Sequence, residues 1–140
     1  MPIESAIARL KSQAALLYQV DGAADFASIE TAPRQLPAAF VTPWTQRPQP
    51  SLLDTMQVEQ RVAVQIAVNI CVSNLREPGG RSALDALKPV LAQVQDVLGG
   101  WSPMEGYDPF MLGDGRLLKL LPGALWWTQI FNTAYIWRSK

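Results

Sequence analysis

Residues 56–72, MQVEQRVAVQIAVNICV, decide the fold. Met56, Val58, Val62, Val64, Ile66, Val68, Ile70 and Val72 take alternate positions; Gln57, Glu59, Arg61, Gln65 and Asn69 hold the other register, with Ala63, Ala67 and Cys71 between them. Successive side chains of a strand point to opposite sides of its sheet, so the alternation predicts one apolar face and one polar face with small residues. The run is 17 residues long, well beyond a usual strand. Such a strand either bends at a bulge or projects past its own sheet, where its backbone groups are open to a neighbour.

Working outward from it, Pro78-Gly79-Gly80 closes the strand and a helix follows. Ser82 with Asp85 three positions on resembles a capping box. Leu84, Leu87, Leu91, Val94 and Leu98 form an apolar stripe that Gly99-Gly100 ends. Leu87, Leu91 and Val94 are expected to pack on Val64, Ile66 and Val68, with a kink at Pro89, which cannot donate a backbone hydrogen bond. On the other side, Ile3, Ile7, Leu10, Ala14 and Leu17 predict an amphipathic N-terminal helix that the Asp21-Gly22 turn closes. Phe26–Ile29 reads as a short strand, Ala38–Thr42 as another, and the stretch 43–51, rich in proline, as an extended loop or arm. Beyond the second helix, Asp114-Gly115 reads as a hairpin turn between Tyr107–Leu112 and Leu117–Leu121. Pro122-Gly123 turns the chain again. The last strand, Leu125–Trp137, carries Trp127, Phe131, Tyr135 and Trp137 on one face and Trp126, Thr128, Ile130, Asn132, Ala134 and Ile136 on the other. The expected architecture is one α+β domain over residues 1–140: a mostly antiparallel β-sheet with two α-helices packed on one face.

Composition narrows the function. The chain has 140 residues, 49% apolar and only 17% charged, with 12 basic residues balancing 12 acidic ones. The balance offers no electrostatic footprint for nucleic acid or a membrane, and sparse charge suits a surface buried against a partner. Histidine is absent and Cys71 stands alone, which removes Ser-His-Asp and Cys-His catalysis, the commonest zinc ligand and any intrachain disulfide. Gly113-Asp114-Gly115 lacks the helix and lysine of a phosphate-binding loop. The acidic pairs Asp21/Asp25 and Asp108/Asp114 fall in segments that read as turns, where carboxylates more often support the turn than catalyse. No catalytic residue, cofactor or metal site is expected. The N-terminus has neither a signal peptide's apolar run nor a span long enough for a bilayer, which predicts synthesis in the cytoplasm. The five tryptophans suggest aromatic surface beyond what two helices can cover. Trp101 is expected to plug one end of the core, while Trp44 either covers the core edge or anchors a partner.

Three stretches, Arg81–Pro103 (RSALDALKPVLAQVQDVLGGWSP), the preceding long strand and the closing aromatic strand ALWWTQIFNTAYIW, stand in an order that resembles tail terminator proteins of long-tailed bacteriophages. The N-terminal helix and Val20–Ile29 fit the start of that family, whereas residues 43–50 match nothing in it. The resemblance implies a structural virion protein, assembled in the host cytoplasm as a hexameric ring. Such a ring caps the head-proximal end of the tail tube, ends its polymerisation and offers a head-joining surface. Its partners would be further copies of itself, the tail tube protein and a head-completion or neck protein, with DNA only passing through the lumen. Alternatives are another ring-forming neck or tail-tube component, or a small-ligand-binding or hydrolytic domain using the acidic turns. Two sets of surface residues follow from charge and placement: Trp44, Arg47, Glu59 and Arg61 as a subunit interface, and Glu105, Asp108, Asp114, Arg138 and Lys140 as a docking face.

Overall fold

The computed structural model describes residues 2–29, 33, 35–53, 56–74 and 81–140. Its elements in chain order are α1 (Ile3–Gln13), β1 (Gln19–Asp21), α2 (Ala23–Ala27), β2 (Ala38–Pro48), β3 (Glu59–Asn74), α3 (Arg81–Leu98), β4 (Met111–Leu121) and β5 (Gly123–Arg138). The five strands form one sheet in the order β1-β2-β3-β5-β4, antiparallel except where β1 runs parallel to β2. Among the described helices, none is long and apolar enough to cross a membrane.

The alternation works as expected from Val62 to Val72, but the strand starts at Glu59 rather than Met56, which is exposed in the preceding loop. Ile66, Val68, Ile70 and Val72 of β3 join Ala39 and Val41 of β2 and Leu125 and Phe131 of β5 under α1 and α3. The helices contribute Ala6, Leu10, Ala83, Leu87, Val90, Val94, Val97 and Leu98 to that core. Leu91, expected among them, is only partly buried and lies at the side of the layer. Helix α3 continues through Pro89. It stops at Gly99-Gly100, where Gly100 takes φ +77° and donates its N–H to the Phe110 carbonyl. Trp101 then packs on the core beside Phe110, with the Arg9 guanidinium 4.8 Å from its ring. It plugs the end as anticipated.

Three local readings change. Residues 23–27 are helical, and α2 lies across the face opposite α1 and α3, where Phe26 packs with Phe40 and Trp126. Residues 43–48 are extended, as expected of prolines, but they continue β2 and pair with β3 across a bulge between Pro43 and Thr45. Among the described residues, the outer edge of β2 has no partner beyond β1's three residues, so a proline without an N–H costs the ladder little there. Asp114-Gly115 is not a hairpin turn: β4 runs through it as one strand with a bulge between Leu112 and Gly115. The true hairpin is at Pro122-Gly123, where Gly123 takes φ +87°. Pro78-Gly79-Gly80 lies outside the described residues.

Candidate functional site

Three surfaces are left after the core is closed. The first is the sheet face opposite α1 and α3, which α2 covers only at the Asn74 end of β3. Here the polar register of β3 finds partners in its neighbours. Asn69 donates to the Phe40 carbonyl and the Thr42 hydroxyl, both at 3.2 Å, and accepts from the Thr128 hydroxyl at 2.8 Å. Gln65 accepts from Thr45 at 2.6 Å and donates to Asn132 at 2.8 Å. Trp44, 49% exposed, bends over this face at the β2 bulge, close to Arg116, Thr128 and Ile130. The Arg116 guanidinium stands 6.0 Å from its ring.

The second surface is the Glu59 end of the sheet. Glu59 pairs with Arg138, and Arg61 with Asp108, both in exposed ion pairs. Asp108 is held in place by its own backbone, which donates to Ala134 and accepts from the Thr133 hydroxyl. Tyr107 meets Tyr135 with its ring tilted by 40° at 5.1 Å, and burial first, then the neighbouring Tyr135, push the Tyr107 phenol above its ordinary value. The loop between β2 and β3 carries Leu52, Leu53 and Met56, all exposed.

The third surface is the β4 edge. Met111, Leu112, Leu117 and Leu120 are exposed along it. Beside it an apolar groove of about 530 Å³ opens between α3 and β5, floored by Leu84, Leu87, Leu91 and Trp127 and rimmed by Arg81, Asp85 and Lys88. Gly115 lets the strand lie against the indole: a Cβ there would sit 3.1 Å from Trp127 Cζ2 and 2.7 Å from Gln129 Oε1. Gln129 in turn donates to the Gly113 carbonyl, supporting the bulge.

A family model described as phage tail terminator protein matches residues 1–140 of this chain. The chain belongs to that family. No curated protein matches the sequence. As a tail terminator it is a structural, non-enzymatic component of the phage tail, part of the virion. Its chemistry is therefore that of surfaces, and the fully buried Cys71 fits this: burial pushes its thiol up to about 12, away from any nucleophilic role.

The two residue sets expected from sequence do not stay separate in this tail terminator. Glu59 and Arg61 are joined by ion pairs to Arg138 and Asp108, so four of the nine residues form one charged cluster at the Glu59 end. Arg47 lies opposite Ala63 on the same sheet face. Asp114 lies elsewhere, on the β4 edge near Trp44. Glu105 and Lys140 are on the surface without a described ion pair. What sequence reasoning missed is the groove beside β4. Its lining residues were visible as the Leu84, Leu87 and Leu91 part of the α3 stripe and as Trp127, but the stripe read as wholly buried against the sheet.

Proposed function

We propose that this tail terminator forms a ring of identical subunits, a hexamer, at the head-proximal end of the tail tube. There it ends tube polymerisation and offers the surface on which the head-completion protein docks; DNA passes through the lumen. The observation that carries the reading is the family match over the whole chain. The exposed leucines of β4 and the half-exposed Trp44 support it, because contiguous apolar surface of this kind marks interaction sites. Within the ring reading, Trp44 and Arg47 belong to the subunit contact. The cluster of Glu59, Arg61, Asp108 and Arg138, with Glu105 and Lys140 nearby in function, forms a docking face for the tube or the head protein.

The test pairs two measurements. Native mass spectrometry of the purified chain, alone and with tail tubes, should give a single closed oligomer of six copies. Tube polymerisation followed by electron microscopy should give capped tubes of fixed length with the protein and overlong tubes without it. Monomers in both settings, with unaltered tube growth, would refute the proposal.

A further inference from the structure

An open sheet has two edges, and on this chain they carry opposite charge: Asp21 on one, Arg116 and Lys119 on the other. Across the sheet, Asp21 of β1 stands opposite Phe40, Phe40 opposite Asn69, Asn69 opposite Thr128, and Thr128 opposite Arg116 of β4. A second row runs Gln19, Ala38, Cys71, Trp126, Lys119. The first row therefore ends in a carboxylate on one edge and a cation on the other; the second ends in the Gln19 amide, which donates to the Asp21 carboxylate at 2.8 Å, and in Lys119. Asp25, in α2 just past β1, adds an exposed carboxylate beside the partly buried Asp21; Arg81 and Lys88 flank the groove, against Asp85, while Asp114 lies near Trp44 and Arg116. Among the described residues, Asp21, Asp25, Arg116 and Lys119 have no ion-pair partner.

Strand direction agrees with this. β1 is parallel to β2, and each of the next three steps across the sheet is antiparallel, so β1 and β4 run in opposite senses. A second copy set beside the first along the rows would bring its β1 against β4 in the antiparallel sense, the more stable way to add a strand. Apolar surface matches as well. Leu16, 44% exposed, and Tyr18, 73% exposed, precede β1, while Leu117 and Leu120 line the receiving edge beside the groove. Leu16 lies in the helix layer, since its N–H is held by Gln93 of α3, which is the layer into which the groove opens.

We propose that the subunits join head-to-tail through these edges: β4 of one copy adds antiparallel to β1 of the next, Asp21 meets Arg116 and Lys119, and Leu16 and Tyr18 enter the groove between α3 and β5. This rests on the ring reading and gives it a surface. A contact between two different patches closes into a ring when its rotation allows, and here it would pair β1 with the middle of β4 in every junction.

The test is charge exchange on the full chain. Asp21→Lys alone and Lys119→Glu alone should each weaken assembly by at least about tenfold per junction, since each sets like charges side by side. Mixed in equal amounts the two variants should recover the ring, because every junction between unlike copies is again complementary, and native mass spectrometry should show equal numbers of each. Circular dichroism checks that each variant is folded. In parallel, hydrogen exchange on the wild type should show residues 116–119, the part of β4 that faces the three residues of β1, protected in the ring and open in dissociated subunits. Rings that survive both single changes, or a mixture that does not recover, or β4 amides indifferent to assembly, each overturn the edge pairing while leaving the ring itself standing. A wild type that never assembles removes both.

Discussion

The two faces of the sheet are built from different chemistry on the same strands. Toward α1 and α3, Ile66, Val68, Ile70, Leu125 and Phe131 make a dry layer held by burial alone. On the other face, Thr42, Thr45, Gln65, Asn69, Thr128 and Asn132 satisfy one another by hydrogen bonds, and one short helix covers one end. Burial is non-directional and strong, so the first face supplies stability. Hydrogen bonds are directional and contribute modestly in net terms, so the second fixes strand register and stays compatible with solvent or a partner.

The comparison breaks most easily at the dry face. Phe131 is fully buried and meets Phe110 edge-on at 5.9 Å. Phe131→Ala should cost about 3–5 kcal/mol, read as a lowered urea midpoint. Leu91→Ala, at the groove, should cost clearly less. Equal losses would mean that the groove is part of the core. Next in size is Asn69→Ala on the polar face. It removes the donor to the Phe40 carbonyl and Thr42 and the acceptor for Thr128, and should cost about 1–3 kcal/mol. A neutral result would mean that water replaces the ladder freely and that the face is not structural.

Cys71 sharpens the contrast from within the polar register. It packs with Phe40 and Trp126 under α2, and its thiol is raised from 9.0 to about 12 by burial. A raised folded pKa means that the unfolded chain loses this proton first. The contribution is whole below the unfolded value and lost as pH rises through the folded one. Between pH 9 and about 12 the wild type should therefore lose stability faster than Cys71→Ala. Parallel curves would place the thiol in contact with water.

Legibility from sequence follows the same division. The β3 pattern was readable because its large apolar residues alternate with polar and small ones, even though Ile66 to Val72 are buried on both faces. So were α1 and α3, whose stripes repeat at helical spacing. The segment 43–48 was harder, because prolines mark a loop in general but are tolerated at the open edge of β2. Gly115 was harder still. Its glycine reflects the approach of Trp127 and Gln129 from the next strand, a tertiary cause that imitates turn chemistry in one dimension. The charged cluster at the Glu59 end joins residues 47 and 79 positions apart in sequence, and no local spacing encodes that.

Trp44 tests whether the open face is covered by another subunit. Half of its ring is already packed on its own sheet, beside Arg116. Trp44→Ala should shift rings towards smaller species in mass photometry, with about 2 kcal/mol or more lost from association. The monomer's circular dichroism should be unchanged. Loss of the folded signal would assign Trp44 to its own core instead.

The smallest effect on stability, and the most specific on docking, is expected at the Glu59 end. Arg61 and Asp108 are each about half exposed, at 49% and 45%. An ion pair in that setting contributes at most about 1 kcal/mol, because water already screens both charges. Asp108→Lys should thus leave the urea midpoint nearly unchanged. It also adds a positive charge beside Arg61 and Arg138, with Lys140 two residues further on, and leaves Glu59 as the ion-paired carboxylate described at that end. Complementary charge governs encounter and partner choice more than affinity, so binding to tail tubes or to the head-completion protein should slow, most visibly at low salt where screening is weak. Asp114→Lys is the control. Asp114 lies on the β4 edge beside Trp44 rather than in this cluster, so it should alter ring assembly and spare docking. If Asp108→Lys docks at the wild-type rate at every salt concentration, the Glu59 end is not a docking face. If Asp114→Lys impairs docking as much with the ring intact, the face extends along β4, and the boundary drawn between assembly and docking surfaces is misplaced.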